Sequence, residues 1–137
     1  MASRLNPYIS FDGDARQAME FYEQVFGGTL RMNTFGEYGM ADSPDAGKIM
    51  HAMLETSRGF TLMGADTPTG MQFASGSRIS VSLSGDDADE LRGYWAQLSE
   101  SGTVSLPLEK QMWGDEFGMC TDRFGVDWMV NIGQPQA

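Results

Sequence analysis

The feature that most constrains this chain is an internal repeat, because the second half repeats the pattern of the first. In each half a short strand pattern precedes an amphipathic helix, and three further strand patterns follow it. Tyr22 in the first helix corresponds to Tyr94 in the second. The repeat predicts two βαβββ units within a single domain, spanning residues 5–66 and 77–133.

The first helix is predicted from apolar side chains at helical spacing. Asp14 with Gln17 three residues later resembles a capping box, and Gly27 and Gly28 can adopt the left-handed conformation that ends helices. The predicted core face consists of Ala15, Ala18, Met19, Tyr22, Val25 and Phe26.

The second helix has the better capping box, since Glu90 follows Asp87 by three residues, and Ser101 and Gly102 are expected to end it. Its apolar stripe consists of Leu91, Tyr94, Trp95 and Leu98. Before this helix, the alternation of apolar and serine side chains over residues 79–84 predicts a strand with one buried face.

The remaining strand patterns complete each unit. They cover residues 30–35, 49–56 and 60–65 in the first half, and 104–109, 116–121 and 126–132 in the second. Residues 36–48 are expected to form a mobile loop and residues 64–76 a linker. Because open four-stranded units leave unpaired edges, the two sheets are expected to pair side by side and curl around a shared cleft. Face-to-face stacking of the sheets is the alternative. The fold class is α+β.

Charge and composition exclude several partners. Nine basic and nineteen acidic residues give a net charge of -10, which opposes binding to nucleic acids and anionic membranes. No apolar run approaches the ~20 residues that span a bilayer, and the N-terminus lacks the apolar segment of a secretory signal. We therefore expect a cytoplasmic protein whose partner is a small molecule.

The chain contains one histidine and one cysteine. A single His51 allows no Cys/His zinc set and no histidine relay, but it could act as a pocket acid or base, a donor to a ligand or a remnant metal ligand. The alternative is a half-buried histidine bonded to a backbone carbonyl. Cys120 has no local base to activate it, so we interpret it as a buried core residue.

Aromatic and methionine side chains crowd the C-terminal hairpin. Trp113, Phe117, Met119 and Met129 are candidates for the wall of a ligand pocket, with core packing as the alternative. Strand alternation separates two sets, one of which should line the cleft: Phe117, Met119 and Thr121 against Glu116, Gly118 and Cys120.

The acidic residues have simpler explanations than catalysis. The spacing of Asp115, Glu116 and Asp122 does not place three oxygens around one point, so turn formation and solubility are favoured over a calcium site. The acidic cluster over residues 86–90 is explained by helix capping and the helix dipole.

Several stretches together resemble the PhnB-like branch of the vicinal oxygen chelate superfamily. They are Pro7-Tyr8-Ile9-Ser10-Phe11-Asp12-Gly13-Asp14-Ala15, Ala18-Met19-Glu20-Phe21-Tyr22, Phe26-Gly27-Gly28, His51-Ala52-Met53-Leu54, Trp113-Gly114-Asp115-Glu116-Phe117-Gly118 and Asp122-Arg123-Phe124-Gly125-Val126-Asp127-Trp128. The superfamily includes glyoxalase I, bleomycin-binding resistance proteins, fosfomycin-modifying enzymes and extradiol dioxygenases. The resemblance implies paired βαβββ units and a homodimer.

The resemblance also implies where a divalent metal would bind. The corresponding positions fall near Pro7 and Tyr8, at or beside His51, near Ser77 and Arg78, and at Met129. Of these only His51 suits a hard or borderline metal, whereas three or four protein ligands are usual. We therefore expect no cofactor, and a divalent metal would find an incomplete ligand set.

Some PhnB-like sequences are described as demethylubiquinone methyltransferases. That activity is disfavoured here, because Gly27 and Gly28 follow a helix instead of preceding one, and no alternating βαβ pattern is present. Two functions stay open. One is small-molecule binding with lyase, isomerase or transferase-type chemistry through His51. The other is sequestration of a small molecule without chemistry, which the acidic balance favours for a cationic ligand.

Overall fold

A computed structural model of the protein describes residues 4–71 and 79–134. Contacts divide the chain into two compact units, which we call unit 1 (Met1–Ala74) and unit 2 (Ser75–Ala137). Unit 1 contains β1 (Tyr8–Phe11), α1 (Ala15–Phe26), β2 (Thr29–Thr34), β3 (Ile49–Glu55) and β4 (Thr61–Asp66). Unit 2 contains β5 (Val81–Gly85), α2 (Ala88–Glu100), β6 (Thr103–Lys110), β7 (Glu116–Thr121) and β8 (Asp127–Ile132).

The two units have the same topology. The strand order is β1-β4-β3-β2 in unit 1 and β5-β8-β7-β6 in unit 2. In each mixed sheet the first strand runs parallel to the last, and the other neighbours are antiparallel. The predicted α+β fold with repeated βαβββ units is confirmed. Neither α-helix within the described ranges has the length and apolar character needed to cross a bilayer.

Each helix packs on one face of its own sheet. The buried residues of α1 are the six that its spacing predicts: Ala15, Ala18, Met19, Tyr22, Val25 and Phe26. In α2, Leu91, Tyr94 and Leu98 are buried, whereas Trp95 is half-buried. The Trp95 ring lies over β7, since a Cβ at Gly118 would be only 2.8 Å from its Cη2 atom. A glycine at this point therefore lets the indole approach the strand.

The N-terminus of α1 is capped differently from the prediction. Asp14 occupies the N-cap position, but its side chain makes no capping hydrogen bond, so the predicted capping box is wrong. Asp66, at the end of β4, accepts hydrogen bonds from the N–H groups of Gly13 and Ala15 at 2.9 Å each through one oxygen, and from Ile49 at 2.9 Å through the other. A buried carboxylate from a distant strand thus replaces the local cap.

The N-terminus of α2 is capped as predicted. The Asp87 side chain accepts a hydrogen bond from the Glu90 N–H at 3.2 Å. Ser101 is the C-cap residue of this helix. The local sequence therefore determines both ends of α2.

The connection between β2 and β3 is held in place by hydrogen bonds. Asp45 is buried, accepts hydrogen bonds from the Thr69 N–H at 2.9 Å and hydroxyl at 2.8 Å, and pairs with Lys48 at 3.0 Å. These contacts tie the predicted mobile loop to the segment after β4. That segment starts later than predicted, because β4 extends through Asp66, and residues 72–78 lie outside the described ranges.

Candidate functional site

Each sheet has one face covered by its helix and one face free of it. On β3, Ala52 and Leu54 are buried on the helix side, while His51 and Met53 are half-buried on the other side. The strand register extends this helix-free face, which we call the unit 1 face, across the sheet to Tyr8, Arg31 and Met63. The equivalent unit 2 face carries Ser82, Leu106, Phe117, Met119 and Met129.

His51 and Tyr8 form a pair on the unit 1 face. The Tyr8 hydroxyl lies 3.2 Å from His51 Nδ1, and the two ring centroids are 5.8 Å apart. The partner of His51 is therefore a side-chain hydroxyl, in place of the backbone carbonyl that the alternative interpretation supposes. Tyr8 is 52% exposed and His51 is half-buried, so the pair is accessible to a ligand.

This pairing determines which imidazole atom can meet a ligand. With Nδ1 engaged by Tyr8, the nitrogen left to contact a ligand is Nε2. If the phenol donates to Nδ1, then Nε2 carries a proton and can donate it; in the other tautomer Nε2 is a base. The contact with Tyr8 therefore orients the imidazole ring. Phe11 is buried on the helix side of β1. Because side chains alternate between the two faces of a strand, Tyr8, three residues earlier, must project from the helix-free face. This alternation is the sequence signal that could have placed Tyr8 on the same face as His51.

The predicted pocket-wall residues lie together on unit 2. Phe117, Met119 and Met129 share the unit 2 face and are half-buried. Trp113, in the turn between β6 and β7, is 64% exposed, and its ring lies 6.4 Å from that of Phe117. The alternation along β7 is thereby resolved: Gly118 and Cys120 are buried on the helix side. Whether a ligand contacts these residues stays a prediction.

The donor set does not suit a divalent metal. Of the positions that the resemblance implies, Tyr8 and His51 lie together, Met129 lies in unit 2, and Ser77 and Arg78 fall outside the described ranges. Within those ranges, no three His, Cys, Asp or Glu side chains come together to hold a metal ion. One imidazole beside a phenol does not fit the usual site for Zn²⁺ or Mn²⁺.

The three C-terminal carboxylates contact three separate sets of partners. Asp122 accepts hydrogen bonds from the Phe124 and Val126 N–H groups, at 2.8 and 3.1 Å, and from the Trp128 indole at 2.8 Å. Asp115 accepts from Asn131 and Glu116 pairs with Arg92. The turn role of Asp122 is confirmed. Its proposed contribution to solubility is wrong, because it is only 3% exposed.

Cys120 is a core residue, as predicted. It is 2% exposed, and burial, together with the negative charges of Asp122 and Asp127, raises the pKa of its thiol to about 11. The thiol is therefore protonated near neutral pH, and it is not an activated nucleophile.

A groove in unit 1 lies apart from the predicted site residues. It has a volume of about 500 Å³ and runs between the N-terminal segment, at Arg4 and Leu5, and the β3–β4 turn, at Thr56 and Phe60. No motif in the sequence predicts it, because the groove is formed by residues that are separated along the chain.

Comparisons with known proteins agree with this architecture. The family model described as 3-demethylubiquinone-9 3-methyltransferase matches residues 3–131. The crystal structure of protein PA1353 from Pseudomonas aeruginosa is 39% identical in sequence, covers 98% of this chain and 100% of its own, and superimposes with a TM-score of 0.84.

Two more distant structures share the fold. A putative 3-demethylubiquinone-9 3-methyltransferase, PhnB protein, from Bacillus cereus is 22% identical over 96% of this chain and 100% of its own, with a TM-score of 0.77. A glyoxalase family protein from Bacillus cereus is 12% identical over 98% of this chain and 96% of its own, with a TM-score of 0.64.

The cofactor site of a Rossmann-class methyltransferase does not fit this chain. Such a site places a glycine-rich turn between a strand and the N-terminus of a helix in an alternating parallel sheet. Here Gly27 and Gly28 follow the C-terminus of α1, and both sheets are mixed. The methyltransferase name therefore remains the description of a family model.

Proposed function

Because the chain belongs to the PhnB-like branch of the vicinal oxygen chelate superfamily, we propose that it binds a small organic molecule at the unit 1 face. The observation that carries this proposal is the Tyr8–His51 pair, with 3.2 Å between the hydroxyl and Nδ1. The pair lies on a sheet face that no helix covers within unit 1. It therefore presents hydrogen-bonding groups where a ligand can reach them.

The neighbouring side chains indicate the chemistry of the ligand. His51 Nε2 and the Tyr8 hydroxyl can bond a carbonyl or hydroxyl oxygen. Met53 and Met63 lie beside them on the same face and supply an adaptable apolar surface. The ligand that suits this face is a small molecule with an oxygen-bearing end and an apolar portion.

The same pair can move a proton. His51 Nε2 can take a proton from a bound ligand or return one, while the Tyr8 contact fixes the ring. Lyase, isomerase or transferase-type chemistry would use this step. The proposed reaction uses His51 as its acid or base and needs no divalent ion.

Sequestration without chemistry is the second candidate. It is favoured by the net charge of -10, which raises the local concentration of a cationic ligand. Under this proposal His51 and Tyr8 hold the ligand and no bond is broken.

Dimerisation and location are separate proposals. We propose that the protein is a homodimer, as the family resemblance implies, and light scattering in solution measures this directly. We also propose a cytoplasmic location, which cell fractionation tests.

Binding is tested by screening small oxygenated metabolites for a rise in melting temperature, since a ligand that binds the native state must stabilise it. We expect Tyr8→Phe to weaken binding of a hit about tenfold, the equivalent of one hydrogen bond of ~1.4 kcal/mol. The matched control is Tyr38→Phe, which removes the hydroxyl of an exposed tyrosine in the connection between β2 and β3. Equal weakening by the two variants would contradict the proposal.

Turnover separates the two candidate functions. His51→Gln should abolish turnover of a substrate while binding persists if the protein is an enzyme. If the wild-type protein binds a hit and leaves it chemically unchanged, sequestration is supported.

A further inference from the structure

The unit 1 face carries two paired methionines in addition to the Tyr8–His51 pair. Met53 on β3 and Met63 on β4 are directly opposite each other across the two strands, and both are half-buried. Side chains in such positions have Cβ atoms about 4.5–5.5 Å apart. Because methionine has three rotatable bonds, the two sulfur atoms can converge on one point above the sheet.

His51 adds a nitrogen donor to this pair of sulfur atoms. It precedes Met53 by two residues on β3 and therefore projects from the same face. The Tyr8 hydroxyl holds Nδ1 at 3.2 Å and leaves Nε2 to face a ligand. Metal-binding histidines are typically oriented in this way by a hydrogen bond at their other nitrogen.

We propose that Met53, Met63 and His51 form a binding site for a soft monovalent cation, Cu(I) or Ag(I). Thioether sulfur selects Cu(I), and imidazole is a suitable companion ligand, whereas Mg²⁺ and Ca²⁺ require oxygen donors. Coordination breaks no bond in the tautomer whose Nδ1–H donates to the Tyr8 oxygen, because Nε2 then has a free lone pair and both thioethers are neutral donors. The site uses the same side chains as the small-molecule proposal but does not depend on it, because its test needs no organic ligand.

The charged side chains next to this site do not add up to a positive charge that would repel a cation. Arg31 lies opposite Met53 on β2, and Glu55 follows Met53 on the same face of β3. Both side chains are exposed and carry opposite charges. The chain as a whole carries a net charge of -10, which favours the approach of a cation.

Unit 2 contains a natural control for this site. Met119 and Met129 are directly opposite each other on β7 and β8, at the positions equivalent to Met53 and Met63. Phe117 stands where unit 1 has His51, and Ser82, the partner of Met129, stands where unit 1 has Tyr8. The second pair therefore lacks the nitrogen donor, and we expect it to bind the cation more weakly.

The proposal is tested by titrating Cu(I) without oxygen into the full chain in competition with bicinchoninate. Cys120→Ala is the background, because a thiol could also bind Cu(I). We expect one equivalent bound, and at least a tenfold loss of affinity both in the Met53→Leu/Met63→Leu double variant and in His51→Phe. The Met119→Leu/Met129→Leu variant should bind within twofold of the background, since leucine conserves the volume of methionine.

Two results of the titration overturn the proposal. One is a background protein that fails to compete for Cu(I). The other is an equal loss of affinity from both methionine pairs, which would indicate nonspecific thioether binding.

A second measurement uses the unmutated chain and so avoids any folding defect. The methionine methyl groups are labelled with ¹³C and the protein is titrated with Ag(I). We expect the methyl resonances of Met53 and Met63 to shift at the first equivalent, before those of Met119 and Met129. The proposal is overturned if the unit 2 methionines shift first or if none of the four responds.

Discussion

Units 1 and 2 share one strand order, and the register of β1, β4 and β3 matches that of β5, β8 and β7, yet their helix-free faces differ in chemistry. Both keep a cross-strand methionine pair at the same place. Around that pair, Tyr8, Arg31 and His51 in unit 1 are replaced by Ser82, Leu106 and Phe117 in unit 2. The helix sides of both sheets are largely apolar because they form the core of each unit. The residues next to the methionine pair are therefore polar or charged in unit 1, whereas in unit 2 they are apolar apart from Ser82.

The two helix N-termini differ in the same instructive way. Asp87 caps α2 from within the first turn of that helix. The N-terminus of α1 is instead capped by Asp66, which accepts a hydrogen bond from the N–H of Ala15, 51 residues away in the sequence. A distant cap couples the helix to the sheet. The stability of α1 should therefore depend on its unit as a whole, and that of α2 on its own sequence.

Asp66→Ala should have the largest effect on stability. It leaves three backbone N–H groups without their acceptor, and at roughly 1–3 kcal/mol for each buried unsatisfied group we expect a loss of about 4 kcal/mol. Asp87→Ala, which removes one exposed cap, should cost about 1 kcal/mol. Urea denaturation followed by circular dichroism measures both losses. Losses of equal size would break the contrast between distant and local capping.

These two caps also show how far the sequence alone predicts the structure. The Asp87 cap, the α1 core face and the strand periodicity were predicted because each is a local pattern of a few residues. Asp66 was missed because its partners are 17 to 53 residues away, and nothing local marks its carboxylate as buried. The extension of β4 through Asp66 was missed for the same reason.

In the candidate site, too, local features could be predicted from the sequence and contacts between distant residues could not. His51 was identifiable as the single histidine of the chain, but its contact with Tyr8 spans 43 residues and requires the parallel β1–β4 pairing. The alternation along β7 could separate two sets of residues, and only the position of α2 could show which set is buried.

A second prediction concerns a glycine that the two units share. Gly28 follows α1 and Gly102 follows α2, and a Cβ at these positions would lie 2.2 Å from the Glu55 carbonyl oxygen and 2.1 Å from that of Thr121, respectively. Both alanine variants should be destabilised by about 2–3 kcal/mol. Gly28→Ala should lose the more, because its φ of +105° adds backbone strain of about 1 kcal/mol or more.

Denaturation by urea compares the glycine variants. All three tryptophans, Trp95, Trp113 and Trp128, belong to unit 2, so tryptophan fluorescence follows unit 2 while circular dichroism follows both units. Gly13→Ala provides a control for positive φ, at +94°, without a steric clash. If Gly102→Ala is as stable as the wild type while Gly28→Ala is not, the backbone of unit 2 can move away from the added Cβ and that of unit 1 cannot.

A third prediction compares the two cores at one position. Cys120, opposite Trp128, stands where unit 1 has Leu54, opposite Leu62. Because the pKa of its thiol rises from 9.0 to about 11, the fraction present as thiolate at pH 8 falls about 100-fold. The native protein should react with a disulfide reagent at least that much more slowly than the urea-unfolded chain. Equal rates would mean that this part of the unit 2 core opens readily.

The smallest expected effect on stability concerns the connection between β2 and β3. This connection spans residues 35–48, whereas the equivalent connection of unit 2, between β6 and β7, spans only residues 111–115. Hydrogen bonds from the Thr69 hydroxyl, from Lys48 and from the Thr69 N–H lower the pKa of Asp45. A carboxyl whose pKa is lower in the folded state stabilises the protein above its unfolded pKa, here 3.8, and loses that contribution as pH falls through the folded value. The wild type should therefore be more stable than Asp45→Asn at neutral pH, and the difference should shrink on acidification below about pH 4.

Melting temperatures of the two proteins at pH 7 and pH 3 measure this change. Thr69→Val should reproduce more of the effect than Lys48→Met, because the Thr69 hydroxyl is the largest cause of the lowered pKa and the lysine a smaller one. A pH-independent difference between wild type and Asp45→Asn would mean that the carboxylate holds the connection through shape alone. The longer connection of unit 1 would then owe its order to packing and not to the charge of Asp45.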